Sequence, residues 1–236
     1  SLVVDGVERP LAMRRGDIHR KDKSTLVGEF PIEVGEERAT GALELRMDPA
    51  GDLVTASLAV SHEPGSSDHT YALRFGLSAQ GRAVFMPGVG QVGDTASTRA
   101  RTVVLDDDVH PIAMLSSQGP LSITEAEPDT AAKGARTRLV VSAKTETALR
   151  RALGAVPGKP ARLDISVLMG ESSLGLWGRL YRLSHVPVAK VTGVVTGTSE
   201  RARVIALDEE GHPQVRALVD AEGRFELEAP TRAVQW

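Results

Sequence analysis

Apolar and polar residues alternate at a period of two through most of this chain. The segment ALELRM (residues 42–47) places its apolar residues on one side of a strand, and VTASLAVS (residues 54–61) repeats the pattern. Between them lies DPAGD, in which Pro49 presets φ and Gly51 accepts a positive φ. Because successive side chains of a strand point to opposite faces, the pattern predicts an antiparallel hairpin.

The same alternation predicts further strands, separated by stretches rich in Gly, Pro, Asp and Ser. These strands are Tyr71–Leu77, Arg82–Met86, Arg101–Leu105, Ile112–Leu115, Leu121–Glu125, Arg138–Ala143, Arg162–Met169 and Leu176–Leu183. One segment, Thr145–Gly154, has an N-cap residue, good helix formers and a terminal glycine, and it predicts a single short helix. The predicted fold class is therefore all-β: a large antiparallel β-sandwich of supersandwich type with one short helix.

A domain boundary is predicted in SHVPVAK (residues 184–190), which contains Pro187 and has no obvious partner strand. We expect one β-sandwich domain over residues 1–185 and a partial second sandwich over residues 186–236. The second domain contains four predicted strands, within residues 189–197, 201–208, 213–220 and 223–229.

Composition excludes several classes of function. The formal net charge of −3 gives no reason to expect nucleic acid or an anionic membrane as a partner. The absence of cysteine excludes disulfides, thiolate nucleophiles and cysteine-based metal sites. No window approaches the roughly 18 uninterrupted apolar residues of a membrane helix. No cofactor is predicted.

The C-terminal strands resemble the carboxypeptidase regulatory-like domain, a transthyretin-like, Ig-like β-sandwich of seven strands. In that family an Asp-x-x-Gly-x-Phe-x-Phe hairpin is preceded by two strands. The matching residues here are Gly193 and Val195, Ala202 and Val204, and then Asp220, Gly223, Phe225 and Leu227. The resemblance covers roughly the last 45 of the 236 residues. It implies a tight turn at Asp220–Gly223, with Phe225 and Leu227 directed into a core.

This sequence departs from that family where the chain ends at Trp236, soon after the phenylalanine strand. Three explanations are open: the chain is a fragment of a longer protein, the second domain borrows strands from the first, or a partner covers an open sheet edge. We favour the fragment. A tryptophan normally packs against other residues, so the terminal Trp236 is also taken to indicate missing chain.

The N-terminal region resembles the accessory β-sandwiches that precede the catalytic domain in some bacterial metal-dependent hydrolases of the polymerase-and-histidinol-phosphatase type. The resemblance lies in RAVFMPGVGQVGD (residues 82–94) and in the many-stranded layout. Such catalytic domains open with a His-x-His metal motif. This chain has none, so no catalytic residue carries over.

The histidines and acidic residues give two candidate metal sites, each with a simpler alternative. The histidines are His19, His62, His69, His110, His185 and His212, and no pair has the spacing of a helical or strand metal site. His62 and His69, with Asp68, could meet across a loop, although a solvated loop is the simpler alternative. The run Asp106–Asp108 beside His110 offers oxygen ligands for calcium, but an acidic turn needs no ion. We predict no metal site.

Three further patterns were weighed for chemistry. Gly88, Gly90 and Gly93 spell G-x-G-x-x-G, but a loop and a strand follow, so a turn is favoured over a dinucleotide site. GESSLG (residues 170–175) is predicted to lack the helix that follows a nucleophilic serine. Trp177 and Tyr181 share a face and could form a sugar platform, although a core or interface pair is favoured. No catalytic or cofactor-binding residue is predicted, and the ligand-binding residues stay unknown.

Two functions of different classes are compatible with these patterns. The first is a non-catalytic accessory or interaction region of a larger bacterial envelope or secreted protein, which binds or positions a protein partner or a carbohydrate. The second is the N-terminal part of a metal-dependent hydrolase whose catalytic domain lies outside this chain. The lack of any local catalytic motif favours the first. A periplasmic or extracellular location is expected.

Overall fold

The structure, a computed structural model, describes residues 2–9, 17–34, 36–62, 71–78, 83–91, 99–106, 110–116, 121–125, 138–144, 161–197 and 202–232. Within these ranges the chain is all-β and sandwich-like, with antiparallel strand pairs and one short helix. The predicted fold class is confirmed.

The described elements are 19 strands and one helix. They are β1 (Leu2–Val4), β2 (Val7–Arg9), β3 (Ile18–Arg20), β4 (Thr25–Val34), β5 (Glu37–Met47), β6 (Leu53–His62), β7 (Tyr71–Ser78), β8 (Ala83–Met86), β9 (Gly90–Gln91), β10 (Arg99–Ala100), β11 (Thr102–Asp106), β12 (Ile112–Leu115), β13 (Leu121–Glu125), β14 (Arg138–Lys144), β15 (Ala161–Met169), α1 (Ser173–Leu183), β16 (Val188–Val194), β17 (Arg203–Leu207), β18 (Pro213–Leu218) and β19 (Arg224–Pro230).

The hairpin predicted around DPAGD is confirmed as β5 and β6, which pair antiparallel from Met47↔Val54 to Ala39↔His62. Gly51 has φ 78°, and its amide donates to the Asp48 carbonyl at 3.0 Å. Ala56, Leu58 and Val60 are buried, which is the face that the alternation predicts. Of the strands predicted between residues 71 and 183, all but Leu176–Leu183 lie within two residues of the observed bounds.

The chain divides into two compact units, and each combines two stretches of sequence. Unit 1 comprises Ser1–Ser78 with Leu115–Val167. It contains the strand orders β13-β14-β7-β1-β2 and β3-β4-β5-β6-β15. Phe30 on β4 lies opposite Gly41 on β5, where its ring occupies the space that a Cβ would take.

Unit 2 comprises Ala79–Met114 with Leu168–Trp236. It contains the strand order β12-β11-β8-β9, the helix, and two two-stranded sheets, β16-β19 and β17-β18. The helix packs against β16, β18 and β19. Its core draws on both stretches of sequence: Val84, Phe85, Met86, Val103, Val104, Leu105, Ala113, Met114, Leu168, Leu176, Trp177, Leu180, Tyr181, Ala206, Val215, Ala217, Val219, Leu227 and Ala229 are buried.

The prediction of a strand over Leu176–Leu183 is wrong, because these residues belong to α1. The buried residues Leu176, Trp177, Leu180 and Tyr181 follow the spacing of a helical face and not of a strand. Gly175 and Gly178 weaken the sequence signal of the helix, since each lowers helix stability by about 1 kcal/mol relative to alanine. A Cβ at Gly178 would overlap the carboxylate of Glu228 on β19, so a larger residue there would displace this carboxylate.

The turn predicted at Asp220–Gly223 forms, but its flanking strands do not pair with each other. The Asp220 amide donates to the Arg224 carbonyl at 2.9 Å, and Gly223 has φ 79°. The strand before the turn, β18, pairs with β17, while the strand after it, β19, pairs with β16. The expected hairpin is therefore wrong. The turn instead carries the chain from one two-stranded sheet to the other, because β18 pairs with β17 and β19 pairs with β16.

Three turns share one construction, in which an aspartate is followed three residues later by a left-handed glycine. They lie at Asp48–Gly51, Asp208–Gly211 and Asp220–Gly223. In each, the glycine amide donates to the aspartate carbonyl and the aspartate carboxylate accepts from later backbone amides. The tight turn predicted at Asp220–Gly223 is thus a local property of the Asp-x-x-Gly sequence, which forms the same turn at two other places in the chain.

Several predictions fall outside the described residues or stay open. The predicted helix at Thr145–Gly154 and the terminal Trp236 lie outside the described residues. The domain boundary between residues 185 and 186 stays a prediction. None of the helical structure in the described ranges combines the length and apolar character needed to cross a bilayer.

Candidate functional site

The start of α1 forms one side of the candidate site. Ser172 is the N-cap, with extended backbone angles, and its Oγ accepts a hydrogen bond from the Gly175 amide at 3.2 Å. The first turn of α1 contains no acidic residue, so no side chain of that turn neutralises the positive end of the helix dipole. GESSLG is therefore followed by a helix, contrary to the prediction, but the Ser172 hydroxyl serves as its cap.

Asp106, Ser173 and Arg216 form a buried network beside this helix start. Ser173 Oγ donates to Asp106 Oδ1 at 2.6 Å, and Arg216 Nε donates to Asp106 Oδ2 at 3.1 Å. The side chains of Asp106 and Arg216 are each 2% exposed. The carboxylate proposed as a calcium ligand is thus occupied by a guanidinium and a hydroxyl, while Asp107 and Asp108 lie outside the described residues.

Aromatic side chains surround the network. Trp177 meets the ring of Phe85 edge to face, with centroids 5.5 Å apart, and stacks on Tyr181 at 6.4 Å. The Arg216 guanidinium carbon lies 5.9 Å from the Phe85 centroid. Trp177 and Tyr181 are 1% and 8% exposed, so they form a core pair and not an exposed sugar platform. The packing alternative weighed for this pair is confirmed.

Tyr181 anchors the helix to β18 as well. Its hydroxyl donates to the Gln214 carbonyl at 2.7 Å. Burial raises the pKa of Tyr181 well above its ordinary value, so the phenol stays neutral and keeps this hydrogen bond.

Two buried N–H groups in this cluster lack an acceptor among the described residues. They are Nε1 of Trp177 and Nη1 of Arg216. Both residues line a cavity of about 190 Å³, which we call the α1 cavity. Its wall is formed by Ser172, Ser173, Leu174, Trp177, Arg216, Ala217, Leu218, Glu226 and Leu227. The cavity thus combines apolar side chains, a helix start and two residues with spare donors.

A wider groove shares Leu174, Leu218 and Glu226 with the α1 cavity. This Phe225 groove has a volume of about 620 Å³. Its lining residues are Leu174, Thr192, Gly193, Val194, Leu218, Asp220, Arg224, Phe225 and Glu226. Phe225 lies opposite Gly193, with its ring 2.6 Å from where a Cβ would stand, and it is half-buried. Val194 is 65% exposed. The groove therefore presents an aromatic ring and aliphatic groups among charged side chains.

No local pattern in the sequence indicates either the cavity or the groove. The expected burial of Leu227 is confirmed, whereas Phe225 is only half-buried. The spacing of Gly193 and Phe225 in neighbouring strands could have suggested their contact, because a ring commonly fills the space beside a strand glycine. The pairing of Asp106 with Arg216 has no local signal.

Asp208, Glu210 and His212 bring their possible ligand atoms within 4.8 Å of one another. The turn accounts for this cluster: Asp208 Oδ1 accepts from the His212 amide at 2.7 Å, and Oδ2 accepts from Gln214 Nε2 at 2.9 Å. Desolvation would raise the pKa of Asp208, but the hydrogen bonds and charge of His212 outweigh it and lower that pKa. The acidic side chain is therefore engaged by its own turn.

The remaining sequence motifs do not form a site in the described residues. Gly88 lies in the turn between the antiparallel strands β8 and β9, and Gly90 begins β9, so a turn is observed where it was favoured over a dinucleotide site. Gly93 lies outside the described residues. His19 and His110 are exposed. His185 ends α1 with φ 56°. The loop proposed to join His62, Asp68 and His69 lies outside the described residues.

Comparison with known proteins gives low similarities. No protein-family model matches the chain, and no curated protein matches it either. A candidate aldose 1-epimerase of Escherichia coli K12 matches 66% of this chain with 68% of its own, at 9% identity and a TM-score of 0.46. A galactose mutarotase-related enzyme of Lactobacillus acidophilus matches 66% with 71% of its own, at 10% identity and a TM-score of 0.43.

A third match is the galactosidase domain of an α-galactosidase–sucrose kinase. It covers 77% of this chain and 28% of the other chain, at 12% identity and a TM-score of 0.40. At these identities and TM-scores, the similarities assign neither a family nor an activity to the chain.

Proposed function

We propose that this chain is a non-catalytic accessory region of a larger bacterial envelope or secreted protein, and that it binds carbohydrate in the Phe225 groove. The observation that carries the proposal is the half-buried Phe225 ring, which packs on Gly193 and lines an open groove.

The chemistry of the groove suits a sugar better than a purely apolar ligand. An aromatic face packs well against the C–H face of a pyranose, and the ring of Phe225 contributes to the groove wall. Thr192, Asp220 and Arg224 line the same groove and offer polar groups for ring hydroxyls. Sugars combine apolar C–H faces with hydroxyl groups, and the wall of this groove combines an aromatic ring and aliphatic side chains with polar ones.

A titration of the purified chain with neutral oligosaccharides, followed by ¹H–¹⁵N NMR, tests the proposal. We expect chemical-shift changes at β16 and β19, and a roughly fivefold weaker affinity for Phe225→Leu, since an aromatic contact is worth about 1 kcal/mol. Ile205→Ser is the matched control, because Ile205 is 40% exposed on β17 and does not line the groove.

Two outcomes would overturn the proposal. The first is no oligosaccharide binding at millimolar concentration, including the case in which only a protein partner binds. The second is a stoichiometric zinc, iron or manganese ion in the purified chain, which would favour the metal-dependent hydrolase instead.

A further inference from the structure

We infer that the α1 cavity is a binding site for a carboxylate group, and that it is the subsite where the groove ligand places an acidic substituent. The identity of that ligand as a uronate-type sugar rests on the proposed function. The carboxylate site itself rests on separate observations.

The first observation is the pair of spare donors. Buried polar groups in folded proteins are almost always hydrogen-bonded, and a donor left bare costs free energy. Trp177 Nε1 and Arg216 Nη1 both lack an acceptor among the described residues, and both side chains line the same cavity. A ligand that brings two acceptor oxygens supplies what these residues lack, and a carboxylate carries two oxygens on one carbon.

The second observation is the start of α1 at the same cavity. Ser172, Ser173 and Leu174 line it, and the first helical turn has no acidic side chain. Helix starts favour negative charge because their backbone N–H groups point outward and the helix dipole is positive there. Helix start and guanidinium therefore favour the same sign of ligand charge.

The third observation is the charge balance around the cavity, which favours one negative charge over two. Arg216 is paired with Asp106, and Glu226 is paired with Lys190 at 2.6 Å. Each of these two ion pairs is neutral. The positive end of the helix dipole then adds a small positive partial charge at the cavity. A monoanion suits that partial charge, whereas a doubly charged phosphate would be repelled by the carboxylates of Asp106 and Glu226.

The size and lining of the cavity fit a carboxylate attached to a carbon skeleton. Leu174, Ala217, Leu218 and Leu227 contribute apolar surface to its wall. At about 190 Å³ the cavity is smaller than a site for a whole drug-sized ligand, so it suits one substituent of a larger molecule. The rest of that molecule has room in the Phe225 groove.

The test compares four probes in separate titrations of the full chain by calorimetry and NMR: D-glucuronate, D-glucose, N-acetyl-L-alanine and inorganic phosphate. We expect D-glucuronate to bind at least tenfold more tightly than D-glucose, and phosphate to bind more weakly than either carboxylate. Trp177→Phe keeps an aromatic ring but removes the Nε1 donor, and it is expected to weaken D-glucuronate binding about tenfold, since a hydrogen bond to a charged group is lost. Binding of D-glucose should not change.

A second variant tests the effect of negative charge on the cavity wall without changing a core residue. Glu226→Gln removes a carboxylate from the cavity wall and is expected to tighten D-glucuronate binding about two- to fivefold, since partly exposed charges interact weakly. Glu222→Gln makes the same change in net charge on the exposed Asp220–Gly223 turn, away from the cavity, and should leave the affinity unchanged. This arm decides the result if Trp177→Phe fails to give the native NMR spectrum.

Equal affinities for D-glucuronate and D-glucose, together with no effect of Glu226→Gln, would overturn the carboxylate site and leave the proposed carbohydrate function standing. Tight binding of N-acetyl-L-alanine without binding of either sugar would support the carboxylate site and overturn the carbohydrate function.

Discussion

Arg216 and Asp106 are 110 positions apart in sequence, and no local pattern indicates their contact. In PQVRALVD the apolar residues Val215, Ala217 and Val219 alternate with Arg216 and Leu218. Val215, Arg216 and Ala217 are all buried, because β18 is covered on both faces. Sequence periodicity gives one face of a strand correctly and misses the second whenever another element covers it.

Tyr181 offers a prediction on pH. Since burial raises its pKa in the folded state, the unfolded chain loses this proton above about pH 10 while the folded chain keeps it. The stability that Tyr181 confers is therefore complete below about pH 10 and is lost above it, at about 1.4 kcal/mol per pH unit. Tyr181→Phe should cost about 1 kcal/mol at neutral pH, through the lost bond to Gln214, and should lack this alkaline decline.

Urea unfolding of both proteins from pH 7 to pH 11 measures the difference. The same alkaline slope in the Tyr181→Phe variant would contradict the prediction.

At the level of elements, the sequence predicts strands well and their partners poorly. Strand positions follow from alternation and from turn residues such as Asp208 and Gly211, and both signals are local. β18 pairs with β17, and β19 pairs with β16. These pairings depend on the tertiary structure, and no local sequence signal specifies them. α1 also lacks a local signal, because its two glycines lower helix propensity and packing against β16, β18 and β19 compensates for them.

The two glycines of α1 therefore predict opposite mutational effects. Gly175→Ala adds a methyl group that meets only Ser172 Oγ, at 3.4 Å, so it should stabilise the fold by up to about 1 kcal/mol. Gly178→Ala forces the Glu228 carboxylate to move and disturbs its bond with Arg182, 3.0 Å long, so it should destabilise the fold. Thermal unfolding of both variants measures the signs.

Glu228→Ala in the Gly178→Ala background should recover part of the loss, because it removes the side chain that the new methyl group meets. A gain in stability from Gly178→Ala alone would show that this close approach does not limit the helix.

At the scale of the whole molecule, unit 2 is built from two stretches of sequence that share one core. Phe85 and Asp106 come from the first stretch, while Trp177 and Arg216 come from the second. The contact of Phe85 with Trp177 and the ion pair of Asp106 with Arg216 therefore form only when both stretches are present. The boundary predicted near residue 185 depends on composition and turn residues near that position. These local features carry no information about the contribution of residues 79–114 to the same core.

Fragment 186–236 tests that boundary. It lacks Asp106, Phe85 and α1, so Arg216 would lose its ion partner and the sheet β16-β19 its helix. We expect no cooperative unfolding of this fragment, and dispersed NMR signals only when residues 79–114 and 168–185 are joined to it through a long glycine–serine linker. A sharp unfolding transition of residues 186–236 alone would support the predicted domain.

The long separation of Asp106 from Arg216 has a consequence for synthesis. At about 5–20 residues per second, the ribosome needs roughly 5–20 seconds to pass from one to the other. During that interval the apolar strands β8 and β11 have left the ribosome without the helix and sheets that later cover them. Every newly made copy passes through this stage, in which one half of the unit 2 core has been made and the other half has not.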